Sequence, residues 1–182
     1  MKINIFGVGR SGTKAVQLYL SYLLANQYGK VWINYEPYYW NSRFLNQLSY
    51  QGIISHLSDP LILRNEETLS KVHRKYLETI IKNRSNCISK FIRGCGRISK
   101  INEIMRPDYT FIIIRNLYGV LNSIAVREWD LLGKGLIYKS DWNRIIEETI
   151  KENRLTINYD PKDFKDRMEK NALYWYVMNK AA

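Results

Sequence analysis

The chain has 182 residues and a mass of 21.6 kDa, which is room for one substantial core and too little for two ordinary domains. Hydrophobic residues at 46% and charged residues at 25% are the proportions of a folded globular protein and argue against disorder. The 28 Lys and Arg against 17 Asp and Glu leave a net charge of +11, which predicts attraction to anions, yet no run of consecutive basic residues marks a nucleic-acid arm.

The opening residues, Met1 to Gly12, hold too short an apolar stretch for a secretory signal, and no apolar run reaches the length of a membrane span. Cytosol is the expected compartment, with Cys87 and Cys95 as buried, inert thiols rather than a metal site. The first predicted element is a strand, Ile3 to Val8, running into Gly7-Val8-Gly9-Arg10-Ser11-Gly12-Thr13. A helix from about Lys14 to Asn26 follows. It is apolar on nearly every side, a composition that predicts deep packing. A second strand, Val31 to Tyr35, ends at Glu36-Pro37, and residues 38–65 read as loops with short helices.

Leu69, Val72, Tyr76, Leu77, Ile80 and Ile81 recur at helical spacing and predict a helix over 68–83. Asn86 to Ile92 reads as a strand, Gly96 to Met105 as a helix, and Pro107-Asp108 as a turn. Tyr109 to Ile114 lacks polar alternation, as a parallel strand covered on both faces would. The next helix turns Val120, Leu121, Ile124 and Ala125 inward, and two more are expected over 141–153 and 161–180. The alternation predicts an α/β fold, a P-loop-like three-layer α/β/α sandwich around a central parallel sheet.

Two patterns carry chemistry. In the first, a glycine-rich turn between a strand and a helix lets backbone N–H groups converge on an anion at the helix N-terminus. Arg10 and Lys14 add charge there, and Ser11 and Thr13 add hydroxyls. The nucleoside-triphosphate loop needs Lys directly after its second glycine, whereas here Thr13-Lys14 reverses that order. In the second, Arg115 ends a central strand, where ligands bind in open α/β sheets, and Ser123 follows two helical turns later. Such a guanidinium and hydroxyl could hold a second phosphate.

Together these patterns resemble the sulfotransferases that use 3′-phosphoadenosine 5′-phosphosulfate (PAPS). Residues 7–13 look like that family's 5′-phosphosulfate loop, and residues 111–123 like its 3′-phosphate element. Asn34-Tyr35-Glu36-Pro37 is similar to the strand-end Glu-Pro of bacterial members, and residues 88–93 to the Lys-bearing strand before the 3′-phosphate element. The chain departs from the pattern at Lys14, where a hydroxyl is usual, and at Leu117, where proline is usual.

The resemblance implies a single sulfotransferase-like domain over 1–182, shorter than most family members, as a fragment, a minimal variant or a degenerate copy would be. It also implies sulfuryl transfer from PAPS to a hydroxyl or amine acceptor, such as a carbohydrate or other small metabolite, leaving 3′-phosphoadenosine 5′-phosphate (PAP) without a metal. Gly9, Arg10, Ser11, Gly12, Thr13, Lys14, Arg115 and Ser123 are the expected cofactor-binding residues. Arg10 is the expected cation at the leaving phosphate, with Lys14 second, and Glu36 the expected base. His56 is the second candidate base and a candidate acceptor contact, while Lys90 and Arg93 are candidates for holding an anionic acceptor or the sulfonate. His73 reads as structural, and Tyr35, Tyr38, Tyr39 and Trp40 as a stacking surface or plain packing. A P-loop kinase or NTPase, a non-catalytic PAPS or PAP binder and a basic nucleic-acid binder are the rival readings.

Overall fold

A computed structural model describes residues 1–37, 71–92, 94–128, 131 and 141–182. Four strands, β1 (Lys2–Phe6), β2 (Trp32–Tyr35), β3 (Cys87–Phe91) and β4 (Tyr109–Ile112), form one sheet in the order β2-β3-β1-β4. Every pairing is parallel, so each strand must be reached by a crossover, and helices fill those crossovers. The described helices are α1 (Thr13–Tyr28), α2 (Lys71–Ile81), α3 (Ile98–Met105), α4 (Leu117–Arg127), α5 (Asp141–Glu152) and α6 (Arg167–Ala181). The result is the expected α/β/α arrangement around a parallel sheet.

Register decides which residues share a face. Ile3 sits opposite Ile88 and Tyr109, and Ile5 opposite Phe111, so these side chains leave the sheet on one side. There α1 packs through Val16, Leu20 and Leu24 on Ile3, Ile5 and Ile88. Phe6, Cys87 and Phe91 leave on the other side, where Leu77 of α2, Met105 of α3, Val120 of α4, Ile146 of α5 and Tyr174 of α6 join one large core. Each fully buried aliphatic side chain contributes about 1.5–3 kcal/mol. The sandwich is lopsided, with one described helix on one face and five on the other.

Three expectations are corrected. First, α1 is not packed deep. Gln17 and Ser21 face inward, while Leu18, Tyr19, Tyr22 and Leu23 are exposed. Polar residues win the inner face because Gln17 Nε2 donates to the carbonyls of Asn34 (3.1 Å) and Ile88 (3.3 Å).

Second, the 109–114 strand is not covered on both faces. It is an edge strand beyond α1, which lies over β3 and β1, and all four β4 residues are exposed. Third, the final helix starts at Arg167 rather than Pro161. Pro161–Asp163 is a single 3₁₀ turn, and Asp166 takes the cap of α6 in a capping box with Glu169. Both cysteines are buried free thiols, as expected.

Candidate functional site

The carboxyl ends of β1, β2 and β3, with Arg115 just beyond β4, converge on an open cleft of about 520 Å³. It is lined by Gly9, Arg10, Gly12, Thr13, Lys14, Ala15, Leu18, Tyr35, Glu36, Lys90, Ile92 and Arg115. This is where a doubly wound sheet leaves room for a ligand.

The floor is the turn between β1 and α1. Gly7 must be glycine: a Cβ there would meet the Ile113 carbonyl oxygen and Thr13 Cγ2, both at 2.7 Å. That close approach seats the turn against the chain leaving β4. Arg10 (φ 70°) and Gly12 (φ 92°) both adopt left-handed backbone. For Arg10 this costs on the order of 1–2 kcal/mol, the kind of strain that collects at binding sites. Gly12 caps α1 without any side-chain hydrogen bond, and the first helical bond runs from Val16 N–H to the Gly12 carbonyl. The N–H groups of Thr13, Lys14 and Ala15 therefore start the helix without helical partners, beside the cleft. Ser11 is buried rather than lining the cleft, and its hydroxyl donates to the Val8 carbonyl at 2.5 Å within the turn.

The cations form two groups. In the first, Arg10 Nε donates to Ser123 Oγ (2.9 Å), and Arg115 Nη1 donates to the Arg10 carbonyl (3.1 Å). Arg10 thus ties the β1–α1 turn both to Ser123 within α4 and to Arg115 just before it. Asn116 caps α4 by accepting from the N–H groups of Tyr118 and Gly119. Gly119 is a residue that sequence reasoning missed. A Cβ there would lie 3.0 Å from Arg115 Nε and 3.3 Å from Nη2, so its absence makes room for the guanidinium.

The second group surrounds Glu36. Its carboxylate takes a hydrogen bond from Lys90 Nζ at 2.5 Å, and the same ammonium lies 3.7 Å from the centre of the Tyr35 ring. Lys90 is 1% exposed and Glu36 9%, a buried ion pair made possible by the register that sets Tyr35 opposite Lys90. Burial pushes the Lys90 ammonium below its usual value, and the bond to Glu36 opposes that shift. Burial first, and then the Glu36 charge, raise the Tyr35 phenol. Lys14 Nζ lies 5.8 Å from the same ring, at the mouth of this group. Glu36 itself holds left-handed backbone (φ 48°).

Of the expected site residues, Gly9, Arg10, Gly12, Thr13, Lys14, Glu36, Lys90 and Arg115 come together at the cleft, with Ser123 one hydrogen bond behind Arg10. His56, Arg93, Tyr38, Tyr39 and Trp40, and the side chain of His73, lie outside the described residues. Among the described residues no cluster of three or more His, Cys, Asp or Glu could hold a metal ion. Compared with protein-family models, with curated proteins and with solved structures, the chain matches none.

Proposed function

We propose that the cleft binds PAPS and that the chain transfers its sulfuryl group to an acceptor hydroxyl or amine. The observation that carries this reading is the pairing of two cationic groups, Arg10–Arg115–Ser123 and Lys14–Lys90–Glu36, across an uncapped helix N-terminus. PAPS carries anionic groups at two separate ribose positions, which suits such a divided site better than the single linear chain of a triphosphate. The reversed Thr13-Lys14 order also speaks against a triphosphate.

In this reading Arg115 and Ser123 hold the 3′-phosphate, with Arg10 bridging to them. The N–H groups of Thr13, Lys14 and Ala15 hold the 5′-side. Because the Arg10 guanidinium is engaged with Ser123, Lys14 takes over the stabilisation of charge on the leaving phosphate. Glu36 accepts the acceptor's proton as its oxygen or nitrogen bonds to sulfur and the bond from sulfur to the phosphate oxygen breaks. Lys90 holds the Glu36 carboxylate in place. The acceptor is a carbohydrate or other small metabolite, and the compartment is cytoplasmic.

Thermal unfolding with PAP and with Mg-ATP tests the reading. PAP at about a hundred times its dissociation constant should add about 2.7 kcal/mol, a rise in Tm of roughly 5–10 °C. Arg115→Ala should lose most of that rise. Stabilisation by ATP alone overturns the proposal. Glu36→Gln should keep PAP binding and lose about 10²–10⁴ in turnover. Tight PAP binding by a wild-type chain that transfers no sulfuryl group would identify a binder instead of an enzyme.

A further inference from the structure

The exposed apolar residues of this chain are not scattered. All those described except Tyr176 fall within residues 1–35 and 109–127, and these two stretches contain no Asp or Glu. Their charges are Lys2, Arg10, Lys14, Lys30, Arg115 and Arg127. Every one of the chain's 17 acidic residues lies elsewhere.

Register places much of this surface on one side of the molecule. The outer side of α1 presents Leu18, Tyr19, Tyr22 and Leu23, with Tyr19 63% and Tyr22 65% exposed. Tyr109 and Phe111 of β4 and Ile33 of β2 leave the sheet on the α1 side and are also exposed. Lys14 in the first turn and Lys30 just past the last turn flank the helix, both exposed. Trp32, opposite Cys87 in the register, leaves the sheet on the other side, where Lys30 (4.8 Å) and Arg84 (4.4 Å) lie over its ring at the β2 edge. Exposed apolar side chains gathered on one side of a molecule in this way mark an interaction site.

We infer that the α1 face docks on the surface of an anionic lipid bilayer. Leucine and tyrosine side chains between flanking lysines, with no carboxylate among them, match the acyl-headgroup boundary, where amphipathic rings settle and cations meet lipid phosphates. Charge decides against a second copy, because two such faces would set lysine against lysine with no acid to pair. The contact is peripheral: no helix among the described residues is long and apolar enough to cross a membrane. Leu18 belongs both to this face and to the cleft wall, so docking brings the cleft mouth beside the headgroups.

Co-sedimentation of the full chain with vesicles tests the inference. Phosphatidylcholine vesicles with about 30% phosphatidylserine should carry the chain down, and pure phosphatidylcholine should not. Salt at about 0.5 M should weaken the binding. The variant Tyr19→Ser/Tyr22→Ser/Phe111→Ser should bind at least about tenfold more weakly. Should that variant unfold, Lys30→Glu reverses a charge outside the cleft without touching an apolar residue and should weaken binding too. Equal binding to neutral vesicles, no binding to anionic ones, or unchanged binding by the variants overturns it. So does a wild-type dimer in light scattering that the serine variant turns into a monomer, since the face would then belong to a second copy. The outcome is separate from that of the PAP titration, which reads the cleft alone.

Discussion

Lys90 and Glu36 are buried together, and each makes the other tolerable. An ion pair out of water gives little net stability, but removing one partner strands the other, at a cost of about 3–5 kcal/mol. Lys90→Met should therefore destabilise the fold strongly. Lys90→Met with Glu36→Gln should recover most of the loss, as read by urea unfolding of all four forms. Losses that simply add would show that the two side chains are not coupled.

Cys95 makes a second prediction at this scale. Burial pushes its thiol from 9.0 up to about 12, so the folded chain holds a proton that the unfolded chain releases above pH 9. The stability this provides is complete below pH 9 and falls by about 1.4 kcal/mol per pH unit on the way to about 12. Cys95→Ala should lack that component of the alkaline decline, and the native thiol should resist alkylating reagents near neutral pH. The sequence marked Lys90 as charged and Glu36 as a strand end but could not pair them. Their contact depends on how β2 and β3 slide against each other, and residues far apart in the chain carry no sign of that register.

Helices show where pattern reading succeeds and where it stops. Tyr76, Leu77, Ile80 and Ile81 of α2 and Val120, Leu121 and Ile124 of α4 point into the core as their spacing indicates, whereas Ala125, expected inward, is exposed. The composition of α1 misled because hydrophobic residues are not obliged to be inside when polar ones have better partners there. Gln17, fully buried, serves carbonyls of both β2 and β3 from the middle of the helix.

The start of α6 was legible in principle. Asp166 three residues before Glu169 is a capping box, which the more conspicuous Asp160-Pro161 pair obscured. Asp166→Ala should cost about 1 kcal/mol and lower Tm by about 2–4 °C in a scan. Gly119→Ala should leave stability almost untouched while weakening PAP binding, because the new methyl meets the Arg115 guanidinium. A Gly119→Ala variant that binds PAP as wild type does would remove that glycine from the site.

At the scale of the molecule, alternation of strands and helices announced the layers, and glycine spacing announced the floor of the cleft. The placement of one described helix on one face and five on the other was not announced, since it follows from strand order, and strand order is a matter of which segments meet in space. β1 lies inside the sheet, between β3 and β4. It is also made before the other described strands, and neither neighbour exists until residues 87–91 and 109–112 have been made. At about 5–20 residues per second that interval lasts roughly 4–20 s. Through it Ile3, Ile5 and Phe6 have no sheet to join, and any early pairing of β1 must be with something other than its final partners. Growth of the chain, more than the intrinsic speed of any helix, therefore sets when this protein can first close its cleft.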